Sequence, residues 1–220
     1  MAAAVCVWPR FVGVARDQRR NDPEDARAGG ILIATVANFP SGNEPPREVA
    51  AAARSAVQAG ADEIDLVLPY RALLAGDRTS AGDMVERVRE AVGGQVALKV
   101  ILETGALESA SAIGEASRIA IAAGADFIKT STGRTALSAT PEAARTMLEA
   151  IRESGRPVGL KPSGGIRTVE DAAVYLDLAA EIMGADWATA RTFRFGASGL
   201  LSDLVAAIAR RPAGSAPGGR

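Results

Sequence analysis

The chain has 220 residues, 48% of them hydrophobic, with 25 basic side chains against 26 acidic ones and a formal net charge of −1. That is enough chain to bury a core, as one large domain or two small ones. No block of one charge sign marks a surface for nucleic acid or an anionic membrane, and no run approaches the roughly 18 to 20 apolar residues of a membrane span. There is no histidine, which excludes Ser-His-Asp and Cys-His catalysis, imidazole zinc sites and histidine pH switches.

The first eight residues are apolar but lack a basic start and are too short for a secretory signal, so a cytoplasmic protein is expected. Cys6 is the sole cysteine, which precludes an internal disulfide, and is expected to be a small buried side chain. Runs of β-branched and apolar residues at 5–7, 31–37, 63–68, 96–102, 126–130, 158–161 and 192–195 predict strands. Segments with helical spacing at 48–59, 84–92, 110–122, 141–153, 169–183 and 200–209 alternate with them. The strands are almost uninterrupted apolar runs, as in a parallel sheet covered on both faces.

The strand-to-strand interval is about 31 residues, the repeat of a (β/α)8 TIM-type barrel of roughly 250 residues. An internal echo agrees: Ala59-Gly60-Ala61-Asp62, Ala123-Gly124-Ala125-Asp126 and Met183-Gly184-Ala185-Asp186 each place glycine where a helix ends. Seven of eight βα units are counted, so residues 1–210 are expected to form an N-terminally truncated barrel domain beginning at strand two. A late-assigned start and a true truncation both fit that expectation. Residues 211–220, rich in Pro, Gly and Ser, are expected to be a disordered tail. An open doubly wound sheet is the alternative, although no Gly-x-Gly-x-x-Gly follows the first strand.

Only three of the basic residues are lysines, Lys99, Lys129 and Lys161, and each falls in or at the end of a predicted strand. A single strand lysine is ordinarily an edge guard or a structural ion pair. Barrel active sites lie at the C-terminal strand ends, which Lys129 and Lys161 occupy on consecutive strands, with Lys99 somewhat deeper on the strand before. Two ammonium groups about 6 Å apart at an effective dielectric near 20 repel by roughly 2.8 kcal/mol, enough to bring one lysine from near 10.4 to near 8. A neutral lysine beside a cationic one is the arrangement of a Schiff-base nucleophile. Asp65, flanked by Ile64 and Leu66, is the candidate for proton transfer; Glu63 shares its parity but lies farther from the strand's C-terminal end.

Small-residue loops follow three of the strands: Thr130-Ser131-Thr132-Gly133-Arg134, Pro162-Ser163-Gly164-Gly165-Ile166-Arg167 and Gly196-Ala197-Ser198. Each opens toward a helix, so glycine backbone N–H groups and a helix N-terminus are available to an anion.

With these residues in view the chain resembles the deoxyribose-phosphate aldolase family of class I aldolases. The resemblance spans about residues 5–204. It is carried by Val5-Cys6-Val7-Trp8-Pro9-Arg10-Phe11, Ile33-Ala34-Thr35-Val36-Ala37-Asn38-Phe39-Pro40, Gly60-Ala61-Asp62-Glu63-Ile64-Asp65, Leu98-Lys99-Val100-Ile101-Leu102-Glu103-Thr104-Gly105, Asp126-Phe127-Ile128-Lys129-Thr130-Ser131-Thr132-Gly133 and Lys161-Pro162-Ser163-Gly164-Gly165-Ile166-Arg167. The resemblance implies that Lys129 is the Schiff-base lysine, Lys161 the lysine that perturbs it and Asp65 the acid/base residue, with Lys99 beside them. It maps the phosphate contacts to Gly133, Gly164, Gly165, Gly196 and Ser198, with Arg134 where a lysine is frequent. It further implies cleavage of 2-deoxyribose 5-phosphate, expected at the C3–C4 bond, to glyceraldehyde 3-phosphate and acetaldehyde. No metal or organic cofactor, nucleic acid or membrane is expected, and a homodimer is possible. Departures are the missing first-strand Leu-Thr-x-Leu motif, Gly199 in place of a second serine, and a tail without tyrosine. Another Schiff-base sugar-phosphate aldolase, or an inactive or partner-completed barrel, are the alternatives.

Overall fold

A computed structural model describes residues 2–21 and 30–210; the tail expected at 211–220 lies outside them. Six strands, β1 Ala4–Val7, β2 Leu32–Ala37, β3 Glu63–Val67, β4 Ala97–Ile101, β5 Phe127–Lys129 and β6 Gly159–Lys161, form one parallel sheet in sequence order. Such an order, with helical crossovers between neighbours, is that of a (β/α) barrel wall. A doubly wound sheet would reverse its strand order partway, so that alternative is set aside. The predicted strand at 192–195 is not a full strand. It extends the sheet beyond β6 through parallel bridges of Leu160 to Phe193 and Ser163 to Gly196.

The helices are α1 Val12–Asn21, α2 Pro46–Ala59, α3 Tyr70–Leu74, α4 Arg78–Val92, α5 Thr104–Leu107, α6 Ala110–Ala122, α7 Pro141–Ser154, α8 Val169–Met183 and α9 Gly199–Arg210. Three of them were not expected from the sequence. α1 buries only Val12 and has no apolar stripe to read, while α3 and α5 are too short to show one. α4 begins earlier than residue 84 because Asp77 caps it, accepting from the Ser80 N–H at 2.9 Å. No helix among the described residues is long and apolar enough to cross a membrane.

The Ala-Gly-Ala-Asp echo has a structural cause. Asp62 and Asp126 sit at equivalent strand starts, where each backbone N–H donates at 2.8 Å to the preceding strand, at Ile33 and Leu98. Each carboxylate accepts the N–H of that same Ile33 or Leu98 at 2.8 Å and pairs with an arginine, Arg19 or Arg89. One aspartate thereby ties two strands and the covering helix layer together.

Outward-facing Ile64, Leu66, Leu98, Val100, Ile128 and Leu160 are completely buried within a core shared with Val49, Val85, Ala116 and Met147 of the helices. On the other face, strand register sets up two levels. Asp65, Lys99, Phe127 and Gly159 are successive partners, and one pleat above them lie Val67, Ile101, Lys129 and Lys161. β1 is the open edge of the sheet as described, and Cys6, expected to be buried, is exposed there.

Gly159 accommodates its neighbour by lacking a side chain. A Cβ would lie 2.3 Å from the Phe127 ring and 2.7 Å from the Thr192 carbonyl oxygen. Gly159→Ala should therefore lower unfolding stability by about 1–3 kcal/mol, as overpacking of a closed layer does. Chemical denaturation checks this; an unchanged midpoint would show that Phe127 can move aside freely.

Candidate active site

The inward face of the sheet concentrates charge. Asp65, fully buried on β3, accepts from Lys99 Nζ through Oδ1 at 2.9 Å, and through Oδ2 from Lys129 Nζ at 2.9 Å and Lys161 Nζ at 2.7 Å. The strand register explains the convergence. Lys99 lies level with Asp65, whereas Lys129 and Lys161 start one level higher and reach down along their aliphatic stems. Lys99 also contacts Glu63 Oε2 at 2.7 Å, and Glu63 Oε1 accepts from Arg194 at 2.9 Å. Arg194 in turn lies over the Phe127 ring, 5.5 Å from its centroid.

Four basic side chains therefore meet two carboxylates in a largely buried interior. Burial alone would push the Asp65 carboxyl up, but Lys129, Lys161 and Lys99 together outweigh it and hold the group well below the usual carboxylate range. The three ammonium groups thus favour the ionised form of Asp65 in the resting site. Lys99 goes the other way from Lys161. Burial opposes its charge, yet Asp65 and Glu63 more than compensate and raise it above the ordinary lysine value. Lys161 is lowered, by burial first, with Asp65 opposing and the charges of Lys129 and Lys99 adding to the fall. The repulsion argued from the sequence is present, but desolvation is the larger cause, and it acts on Lys161.

The three small-residue loops meet above this cluster. The Thr130 hydroxyl donates to the Ser163 carbonyl at 3.2 Å and accepts the Ser163 N–H at 2.9 Å. Gly164 N–H donates to the Gly196 carbonyl at 3.3 Å. Gly133, Gly164 and Gly165 all have positive φ, at 75°, 85° and 84°. A Cβ on Gly164 would sit 3.6 Å from Gly133 Cα and 2.6 Å from Ser138 Oγ, and one on Gly196 would sit 2.4 Å from Ser163 Oγ and 3.4 Å from Lys161 Cε. Gly133, Gly164 and Gly196 are thus gathered beside Lys161. Gly165 follows Gly164 on an exposed rim, Arg134 is exposed beyond Gly133, and Ser198 is exposed just ahead of α9.

Two residues of this network, Arg194 and Glu103, carry no signal that the sequence reading uses, and Glu63, placed behind Asp65 in that reading, faces inward with it. Arg194 is hidden in the alternation Phe193-Arg194-Phe195. Glu103 follows the apolar run of β4 and accepts from the Thr132 hydroxyl at 2.5 Å. A polar residue at the end of a buried strand is the signal that marks it. A separate surface groove of about 700 Å3 between α6, α7 and α8 is lined by residues such as Ile113, Arg145 and Val174 and contains none of the lysines.

An inward cluster of lysines on one carboxylate, beneath glycine loops at the C-terminal ends of a barrel-like parallel wall, is the kind of arrangement a Schiff-base aldolase needs. The family model described as DeoC/LacD family aldolase matches residues 1–204, and the chain belongs to that family. A curated relative from Agrobacterium fabrum (strain C58), named deoxyribose-phosphate aldolase, is 54% identical over 217 residues, 98% of this chain and 82% of the relative. A crystal structure from Toxoplasma gondii, provisionally named deoxyribose-phosphate aldolase, superposes with a TM-score of 0.85 at 29% identity, covering 95% of this chain and 82% of its own. Another from Coccidioides immitis, also provisionally so named, gives 0.79 at 30% identity, covering 94% and 73%.

A depressed carboxyl contributes stability that is complete above its unfolded value near 3.9 and is lost as pH falls toward the folded value. Replacing Asp65 by Asn, which leaves buried ammonium groups uncompensated, should cost roughly 3–5 kcal/mol at neutral pH. The gap between wild type and Asp65→Asn should narrow steadily below about pH 4. Denaturation series at several pH values measure it; a gap constant down to strongly acidic pH would contradict the assignment.

Proposed function

We infer that the protein is a deoxyribose-phosphate aldolase that reversibly cleaves 2-deoxyribose 5-phosphate into glyceraldehyde 3-phosphate and acetaldehyde. The observation that carries this is the convergence of Lys129 and Lys161 on one oxygen of Asp65 beneath a glycine-lined roof. In this reading Lys129 is the nucleophile and Lys161 its proton acceptor. Because burial lowers Lys161, it can stand neutral and take the proton from Lys129, freeing the Lys129 amine to attack C1 of the open-chain sugar phosphate. Loss of water leaves an iminium.

Carbon counting identifies the next bond. Acetaldehyde retains C1 and C2, so C2–C3 breaks, and the C3–C4 bond expected from the sequence is corrected. The C3 hydroxyl loses its proton as its oxygen forms the carbonyl of glyceraldehyde 3-phosphate, and the C2–C3 electron pair flows to the iminium nitrogen to give an enamine. Protonation at C2 and hydrolysis release acetaldehyde and restore Lys129. Neutral Lys161, directly or through water, is the group suited to take and return these protons, while Asp65 stays ionised and holds both amines in place. Lys99, kept charged between Glu63 and Asp65, anchors the carboxylate and adds the field that lowers Lys161.

The 5-phosphate is assigned to the loops that carry Gly133, Gly164, Gly165 and Gly196, with Ser198 just ahead of α9 and Arg134 on the rim. The Gly164 and Gly196 N–H groups hold the Gly196 and Pro162 carbonyls, so those two glycines shape the site and the N–H groups of Gly133 and Gly165 are the ones offered to the anion. No metal or organic cofactor enters the scheme. Residues 1–210 are read as a barrel domain in which the bridged segment at Phe193 and Gly196 takes the eighth strand position. A homodimer belongs to the same reading through the family resemblance, and a cytoplasmic location is proposed with it from the apolar, uncharged start of the sequence.

Incubation with acetaldehyde and borohydride should leave a reduced ethyl adduct on Lys129, mapped by mass spectrometry; an adduct absent from Lys129 would refute the nucleophile. Lys161→Leu should reduce kcat near neutrality by at least about a hundredfold, the contribution typical of a positioned proton-transfer group. It should also shift the acid limb of the rate profile upward. An unchanged profile would remove Lys161 from proton transfer.

A further inference from the structure

Glu103 is fully buried just beyond β4, yet among the described residues its hydrogen bonds go to Thr132 and Thr135 and not to the lysine cluster. Its backbone is left-handed, with φ 58° and ψ 59°, a conformation that long side chains rarely adopt. The turn this makes carries the carboxylate toward the loop after β5. Both oxygens accept from the Thr132 N–H at 3.3 Å, and Oε2 accepts from the Thr132 hydroxyl at 2.5 Å. The Thr135 hydroxyl, 3.2 Å from Oε1, is shared with the Leu137 carbonyl at 2.8 Å.

These contacts fix more than one residue. Once the Thr132 proton is given to Glu103, the Thr132 oxygen is free to accept the Arg134 N–H, at 3.1 Å. The anchored residues thus flank Gly133, whose Cα lies against Gly164 of the neighbouring loop. The opposite end of the loop is docked on the same turn: a Cβ on Gly105 would lie 2.1 Å from the Leu137 carbonyl oxygen. A buried carboxylate close to an anion site would be repulsive if it faced the anion. Here its lone pairs are taken up by loop donors, so it acts as a clasp that holds the loop in shape before ligand arrives.

We propose that Glu103 is a positioning residue that shapes the Thr132–Thr135 loop to receive the 5-phosphate, and so determines the preference for phosphorylated over unphosphorylated aldehyde substrates. This rests on the aldolase reading given above. Glu103 takes no part in bond making at Lys129; its effect is exerted through Thr132, Gly133 and Arg134.

The test compares wild type, Glu103→Gln and Thr135→Val with 2-deoxyribose 5-phosphate, 2-deoxyribose, inorganic phosphate as inhibitor, and borohydride trapping of acetaldehyde. Glutamine keeps an acceptor oxygen for the Thr132 N–H and hydroxyl that Oε2 holds, but loses the negative charge and the second acceptor that faces Thr135. In Glu103→Gln, KM for the phosphorylated sugar and the inhibition constant for phosphate should rise together by about tenfold, the equivalent of one lost charge-assisted hydrogen bond. kcat/KM for 2-deoxyribose should stay within about twofold and trapping at Lys129 should persist, because the chemical site is untouched. Thr135→Val should move the same constants in the same direction by less, and is read alone if Glu103→Gln does not fold. Equal losses on both sugars, or an unmoved phosphate constant, would overturn the proposal. Wild type that neither traps acetaldehyde nor prefers the phosphorylated sugar would overturn the aldolase reading itself, and the proposal with it.

Discussion

Everything at the centre of this protein depends on one fully buried carboxylate, Asp65, surrounded by the ammonium groups of Lys99, Lys129 and Lys161. Charges removed from water are unfavourable unless paired, so the lysines can remain inside the sheet only because Asp65 and Glu63 are there. The pairing is unequal. Lys99 contacts one oxygen of each of two carboxylates, Asp65 and Glu63, which favours its charge; Lys129 and Lys161 divide the other Asp65 oxygen between them. In the proposed reading, that inequality distinguishes Lys99 as the structural cation from Lys129 and Lys161 as the working pair.

The fold supplies the inequality through register. Parallel strands in sequence order bring residues 65, 99, 127 and 159 to one level and residues 101, 129 and 161 to the next. Phe127 and Gly159 complement one another below the reactive pair, and Arg194 returns from the bridged segment to neutralise Glu63. Below, aspartates at 62 and 126 fasten strand starts; above, glycine loops close over the strand ends. The two ends of the strands thus differ, with aspartate fastenings at the bottom and, in the proposed reading, the chemistry at the top.

Much of this was legible in the chain itself. Alternating strand and helix patterns, the repeat of about 31 residues and glycines at helix ends disclosed a barrel-type wall. The scarcity of lysine singled out the three that converge. What stayed hidden depends on partners distant in sequence. Arg194 and Glu63 are 131 residues apart, and Glu103 meets Thr132 across 29. Neither pairing leaves a local pattern. The sequence also predicted that one lysine would be depressed by its neighbour, without the burial that directs the effect to Lys161. Short α3 and α5 escaped because a single turn has too few residues for a period to show.

With only three lysines, the chain lends itself to direct titration of its amines. Lysine labelled at Cε with 13C gives one signal per residue, assigned by single replacement, and each can be followed from acid to alkaline pH. The account predicts that the Lys99 signal titrates above the ordinary lysine value and the Lys161 signal below it, and that Asp65→Asn brings Lys99 down. Three signals titrating together near the ordinary lysine value would show that Asp65 does not divide the lysines as described.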